Sequence, residues 1–98
     1  MVSYDIAENK TRTALATLLI NSGLWRIQKS VFLGKPHKGI VHKVRLELNK
    51  FQEKRMSESD KIYVQVIPRN HVINRNFIGD YDNELVEILT GDKKVWVI

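Results

Sequence analysis

A chain of 98 residues suits one small domain, and the absence of cysteine excludes disulfide staples and thiolate metal sites. No apolar run approaches the roughly 20 residues that span a bilayer, and Met1-Val2-Ser3-Tyr4-Asp5 lacks the basic and apolar regions of a signal peptide, so a cytoplasmic protein is expected. The net charge of +5 is uneven: residues 1–55 carry eleven Lys or Arg against four acids, and residues 56–98 carry five against seven, which assigns any polyanion to the first part.

In chain order, residues 2–6 predict a first strand, with Val2, Tyr4 and Ile6 alternating with Ser3 and Asp5. Asp5 is a residue type that strands disfavour, and it stands at the strand's end, where a side chain can meet a ligand or form a turn. Asn9 or Thr11 is placed to cap the next helix, whose apolar stripe is Ala14, Leu15, Leu18 and Leu19. Arg12 falls in its first turn, close to Asp5 in sequence, and Gly23 suits a left-handed helix end.

Residues 24–33 organise the chain. Trp25, Ile27, Val31 and Leu33 take the odd positions, which predicts a buried face interrupted at Lys29; Arg26, Gln28, Ser30 and Phe32 take the even ones. Arg, Gln, Ser and an aromatic in one row suit a polymer bearing phosphates and hydroxyls, and equally an ordinary solvated sheet face. No turn is visible inside the stretch, so the partition of the second and third strands stays open, with the third expected in its latter half near Phe32.

Pro36 and Gly39 break the chain. Val41, Val44, Leu48 and Phe51 then predict a second amphipathic helix over residues 38–54, with Lys43, Glu47, Lys50 and Lys54 on the outer face and a Glu47–Lys50 pair along it. After a polar loop at residues 57–60, residues 61–67 predict a strand whose two apolar faces suggest a central position, stopped by Pro68. Residues 72–79 predict a short irregular segment, 84–89 one or two helical turns, and 94–98 an apolar terminal strand containing Trp96 that needs covering, for which a partner subunit is one means. The order predicts an α+β, ferredoxin-like (βαββαβ) domain over residues 1–98, with two helices on one face of the sheet and an extra C-terminal strand pairing with a second copy in a homodimer.

Tyr4-Asp5-Ile6 followed by a helix and then by Gly23-Leu24-Trp25-Arg26-Ile27-Gln28-Lys29-Ser30-Val31-Phe32 resembles the small CRISPR-associated nuclease family known as the Cas two proteins. The family pattern is a Tyr-Asp-Ile strand and then a Gly-x-x-Arg-Val-Gln-x-Ser-Val-Phe strand, with Ile27 here in place of Val. The resemblance covers most of the chain and extends to its length, the ferredoxin-like fold and the apolar last strand. It implies a homodimer that works in CRISPR adaptation beside the integrase subunit on short duplex DNA, and a metal-dependent nuclease acting on single-stranded RNA or duplex DNA. Asp5 matches the family's catalytic, metal-binding aspartate; Tyr4, Arg12, Arg26, Ser30 and Phe32 match positions linked to activity or nucleic-acid contact. Where the family often carries a second basic residue two positions after Arg12, this chain has Ala14.

Phosphodiester hydrolysis needs a nucleophilic water and relief of charge on phosphate, both of which Mg²⁺ can supply. Mg²⁺ takes one or two carboxylates together with water and substrate oxygens. Asp5 alone is a sparse site, and two copies facing each other across a dimer axis would double it. No general base accompanies it: His37, His42 and His71 lie outside the motifs and read as surface histidines. Two functions therefore compete, a metal-dependent endonuclease and a non-catalytic dimeric scaffold that holds duplex DNA for the integrase subunit. A VapD-like ribonuclease toxin on the same fold is a third.

Overall fold

The computed structural model describes residues 1–35 and 38–68. The chain divides into two compact units, Met1–Gln65 and Val66–Ile98, and all the described elements belong to the first. The segments expected at 72–79, 84–89 and 94–98 lie outside the described residues, as do His37 and His71.

The elements run β1 (Val2–Asp5), α1 (Asn9–Asn21), β2 (Trp25–Gln28), β3 (Val31–Leu33), α2 (Lys38–Arg55) and β4 (Lys61–Val64). The four strands form one antiparallel sheet in the order β2-β3-β1-β4. β3 lies between β1 and β2, so the α1 crossover spans a strand that enters later. This is the split βαβ arrangement of a ferredoxin-like α+β fold.

A single core joins both helices to one sheet face. Val2, Tyr4 and Phe32 from the sheet meet Leu15, Ala16 and Leu19 of α1 and Val44, Leu48 and Phe51 of α2. The apolar spacing predicted the second helix closely. Val44, Leu48 and Phe51 are buried, Val41 is half-buried, and Glu47 and Lys50 pair on the outside at 3.9 Å. That exposed i,i+3 pair contributes at most a few tenths of a kcal/mol.

The start of α1 differs from expectation. Neither Asn9 nor Thr11 caps it: the helix begins after Glu8, with no capping side chain, and Thr11 is buried inside it. The Arg12 guanidinium holds the turn instead, donating to the carbonyls of Ile6 and Ala7 at 3.1 Å each and to Asn9 Oδ1 at 3.3 Å. At the other end, Gly23 adopts φ +91°, which allows the chain to leave the helix.

The stretch at 24–33 is a hairpin. Lys29 and Ser30 form its turn, and Trp25 pairs with Leu33, Arg26 with Phe32 and Gln28 with Val31, with a register irregularity between Arg26 and Gln28. The alternation is real, and β2 keeps the expected order, with Arg26 and Gln28 exposed, but Phe32 departs from the expected assignment. Phe32, on the even row, is 0% exposed and belongs to the helix-covered core. Leu33, on the odd row, is buried outside that core cluster, while Trp25 and Ile27 are half-buried. Register decides this: Phe32 lies opposite Val2, and cross-strand partners share a face. Gly34 then lets β3 pass close to the core, since a Cβ there would stand 3.0 Å from Leu24 Cγ.

β4 is shorter than the predicted 61–67 strand and outermost, not central, among the four described strands. Ile62 and Val64 pack on the core, whereas Tyr63 is 54% exposed. Its loop is fixed by Asp60, whose carboxylate accepts from Ser57 N at 3.0 Å and from Ala7 N at 3.1 Å, tying the α2–β4 loop to the β1–α1 turn. Those two backbone N–H groups, Ser57 first, hold the Asp60 carboxyl below the ordinary carboxylate range. A carboxylate with a lowered folded-state pKa stabilises the fold above the ordinary range, and the benefit fades as pH falls through the folded value. Asp60→Asn should therefore lower the urea midpoint at neutral pH, and the gap to wild type should narrow as pH falls below the ordinary carboxylate range. A gap of constant size would show that the carboxylate charge is not what matters.

Among the described residues no helix is long and apolar enough to cross a membrane.

Candidate nucleic-acid interface

An open groove lies between the end of β1, the exposed side of α1 and the β2–β3 hairpin. Asp5, Arg12, Arg26, Lys29 and Ser30 line it, with Thr13, Thr17 and Ile20 from α1. Among the described residues its only acidic lining residue is Asp5, against three cations, so its electrostatics suit an anion while leaving one hard oxygen donor in place.

The Asp5 side chain is exposed and makes no hydrogen bond or ion pair with the described residues. Its neighbour Tyr4 is buried in the core and fixes the end of β1, and the cross-strand partner of Asp5 is Lys61. Among the described residues no three His, Cys, Asp or Glu side chains cluster. One free carboxylate fits Mg²⁺, which draws most of its ligands from water and substrate, and it fits a soft or all-protein metal site poorly.

The other motif residues form a tight unit beside Asp5. The Tyr4 and Phe32 rings stack at 6.1 Å between centroids, and the Arg26 guanidinium lies 5.5 Å from the Phe32 centroid. Tyr4 Oη donates to the Lys29 carbonyl at 3.1 Å, and Arg26 donates to the same oxygen through Nε at 3.1 Å and through Nη2. The Ser30 carbonyl accepts from Tyr4 N at 3.1 Å. Tyr4, Arg26, Ser30 and Phe32 are thus brought together, but around a turn, with Phe32 inside the core and Tyr4 largely so. Arg12 lines the same groove with its guanidinium committed to backbone carbonyls. His42 is exposed on α2 and does not line the groove.

Sequence reasoning did not single out Lys29, Thr13 or Thr17 as groove residues. The break in alternation at Lys29 was the available signal, because a residue that fits neither row marks a turn.

Residues 1–73 match the family described as CRISPR associated protein Cas2. A curated relative, the CRISPR-associated endoribonuclease Cas2 of Aeropyrum pernix, is 32% identical over 79 residues, which is 81% of this chain and 83% of that protein. No solved structure matches significantly. The match spans β1 through β4 and contains every groove residue named above, and the chain belongs to the CRISPR associated protein Cas2 family.

Proposed function

We propose that this protein is a metal-dependent endonuclease of CRISPR adaptation, acting on RNA or DNA phosphodiesters as a homodimer beside the integrase subunit. The observation that carries the reading is Asp5: an exposed carboxylate without a side-chain partner among the described residues, at the end of a strand anchored in the core, in a groove that it shares with Arg12, Arg26 and Lys29. The name of the Aeropyrum pernix relative supports nuclease chemistry. A Mg²⁺ ion held by Asp5 would supply charge relief at phosphate. The chain's own part is to fix Asp5 on a rigid strand and to attract the polyanion through Arg26 and Lys29. A dimer would place a second Asp5 at the disposal of the same site and cover more surface on a chain of this size.

A scaffold that bridges integrase subunits on duplex DNA without cutting it is the second reading. It is favoured by Arg12, whose guanidinium is occupied in holding the β1–α1 turn, and by the sparse ligand set. Purified protein incubated with single-stranded RNA and with duplex DNA should cleave one of them in Mg²⁺ and neither in EDTA. Tight duplex binding without cleavage in Mg²⁺ or Mn²⁺ would leave the scaffold. A monomer by sedimentation at micromolar concentration would remove the dimer from either reading.

A further inference from the structure

We propose that Lys29 is a phosphate-binding residue of this groove, and that Tyr4 and Arg26 are positioning residues that act through it. The proposal rests on the nucleic-acid reading above, in that it takes a phosphodiester backbone as the ligand.

Three donors converge on one backbone oxygen. Tyr4 Oη, Arg26 Nε and Arg26 Nη2 all donate to the Lys29 carbonyl, and the next carbonyl, that of Ser30, accepts from Tyr4 N. A carbonyl has two lone pairs, so a third donor exceeds ordinary satisfaction of a turn. A two-residue hairpin turn does not need such anchoring to form. What the anchoring achieves is a fixed position of the turn relative to β1, one residue from Asp5. The anchors are themselves immobilised: the Tyr4 ring is buried against Phe32, and the Arg26 guanidinium lies against the same ring.

The turn carries one long cationic side chain. Lys29 is exposed and lines the groove with Asp5, and no hydrogen bond or ion pair ties its side chain among the described residues. Arg26, by contrast, commits two of its nitrogens to the Lys29 carbonyl, and Arg12 is held by three oxygens. Of the three cations that line the groove among the described residues, Lys29 is the one with no side-chain donor committed to the protein. An ammonium on a fixed turn meets a phosphate as a point charge at a lower ordering cost than one on a mobile loop.

The test uses full-length protein, a fluorescent duplex DNA of arbitrary sequence and metal-free buffer, with affinity read by anisotropy from 50 to 200 mM salt. Loss of one phosphate contact lowers the salt slope by about 0.9 on duplex DNA, so Lys29→Ala should lose roughly three-fold less affinity across that range than wild type does. Lys29→Arg should restore the wild-type slope. Tyr4→Phe keeps the ring and removes one donor; it should weaken binding about three-fold in the wild-type background and not at all in the Lys29→Ala background. That non-additivity distinguishes positioning from general stabilisation. An unchanged slope for Lys29→Ala, or fully additive effects of the two substitutions, would overturn the proposal. Cleavage plays no part in the readout. Wild-type binding with Lys29→Ala unchanged refutes only the role of Lys29, whereas wild-type protein that binds neither duplex DNA nor single-stranded RNA refutes the nucleic-acid reading itself.

Discussion

Asp5→Asn should lower the cleavage rate by at least about 100-fold while leaving the fold and most nucleic-acid binding intact. The substitution keeps the size of the side chain and removes only its charge. Because the Asp5 side chain is exposed and has no partner among the described residues, no packing or internal hydrogen bond is lost with it. What disappears is the one carboxylate that the described residues place in a groove with Arg12, Arg26 and Lys29. Groups that stabilise developing charge in a reacting site typically supply a factor of about 10² to 10³ each, and a metal ligand acts in the same way by holding the cation. Binding of duplex DNA should be equal or slightly tighter, since a negative charge beside phosphates has been removed. Thermal melting, anisotropy and a cleavage time course on the same preparation separate the three quantities. Cleavage by Asp5→Asn at the wild-type rate would show that the activity does not run through this carboxylate.

Phe32→Ala should destabilise the protein by about 3–5 kcal/mol, and its failure should appear as unfolding, not as weakened nucleic-acid contact. Phe32 is 0% exposed and sits among the core residues of both helices and of β1. Truncation would leave a cavity under Tyr4 and remove the surface against which the Arg26 guanidinium lies. Against the roughly 5–15 kcal/mol that holds most domains folded, such a loss leaves much of the chain unfolded near physiological temperature. Phe32→Leu retains most of the apolar volume and should recover most of the stability and the nucleic-acid affinity together. A folded Phe32→Ala protein with wild-type melting but lost binding would instead make Phe32 a direct contact.

Both helices and the first strand were legible from residue patterns, whereas the division of residues 24–33 into β2 and β3 was not. The spacing of Val44, Leu48 and Phe51 marked α2, Gly23 marked the end of α1, and the Glu47–Lys50 pair followed from helical geometry, because each depends on neighbours within a turn or two of the chain. The Tyr4-Asp5-Ile6 and Arg26–Phe32 motifs likewise carried the family on their own. Tertiary structure decided which face of the hairpin is buried. Period-two alternation separates two rows but is symmetric between them, and only the pairing of Phe32 with Val2 across β1 places Phe32 in the core. It also decided what the arginines do. Arg12 and Arg26 read as cations for a polyanion until the backbone carbonyls of Ile6, Ala7 and Lys29 came within their reach. Hydrogen-bond partners of that kind are set by the path of the main chain, which no side-chain pattern records. The same is true of Lys29: it breaks the alternation in sequence, and the folded chain makes that break a turn anchored beside Asp5.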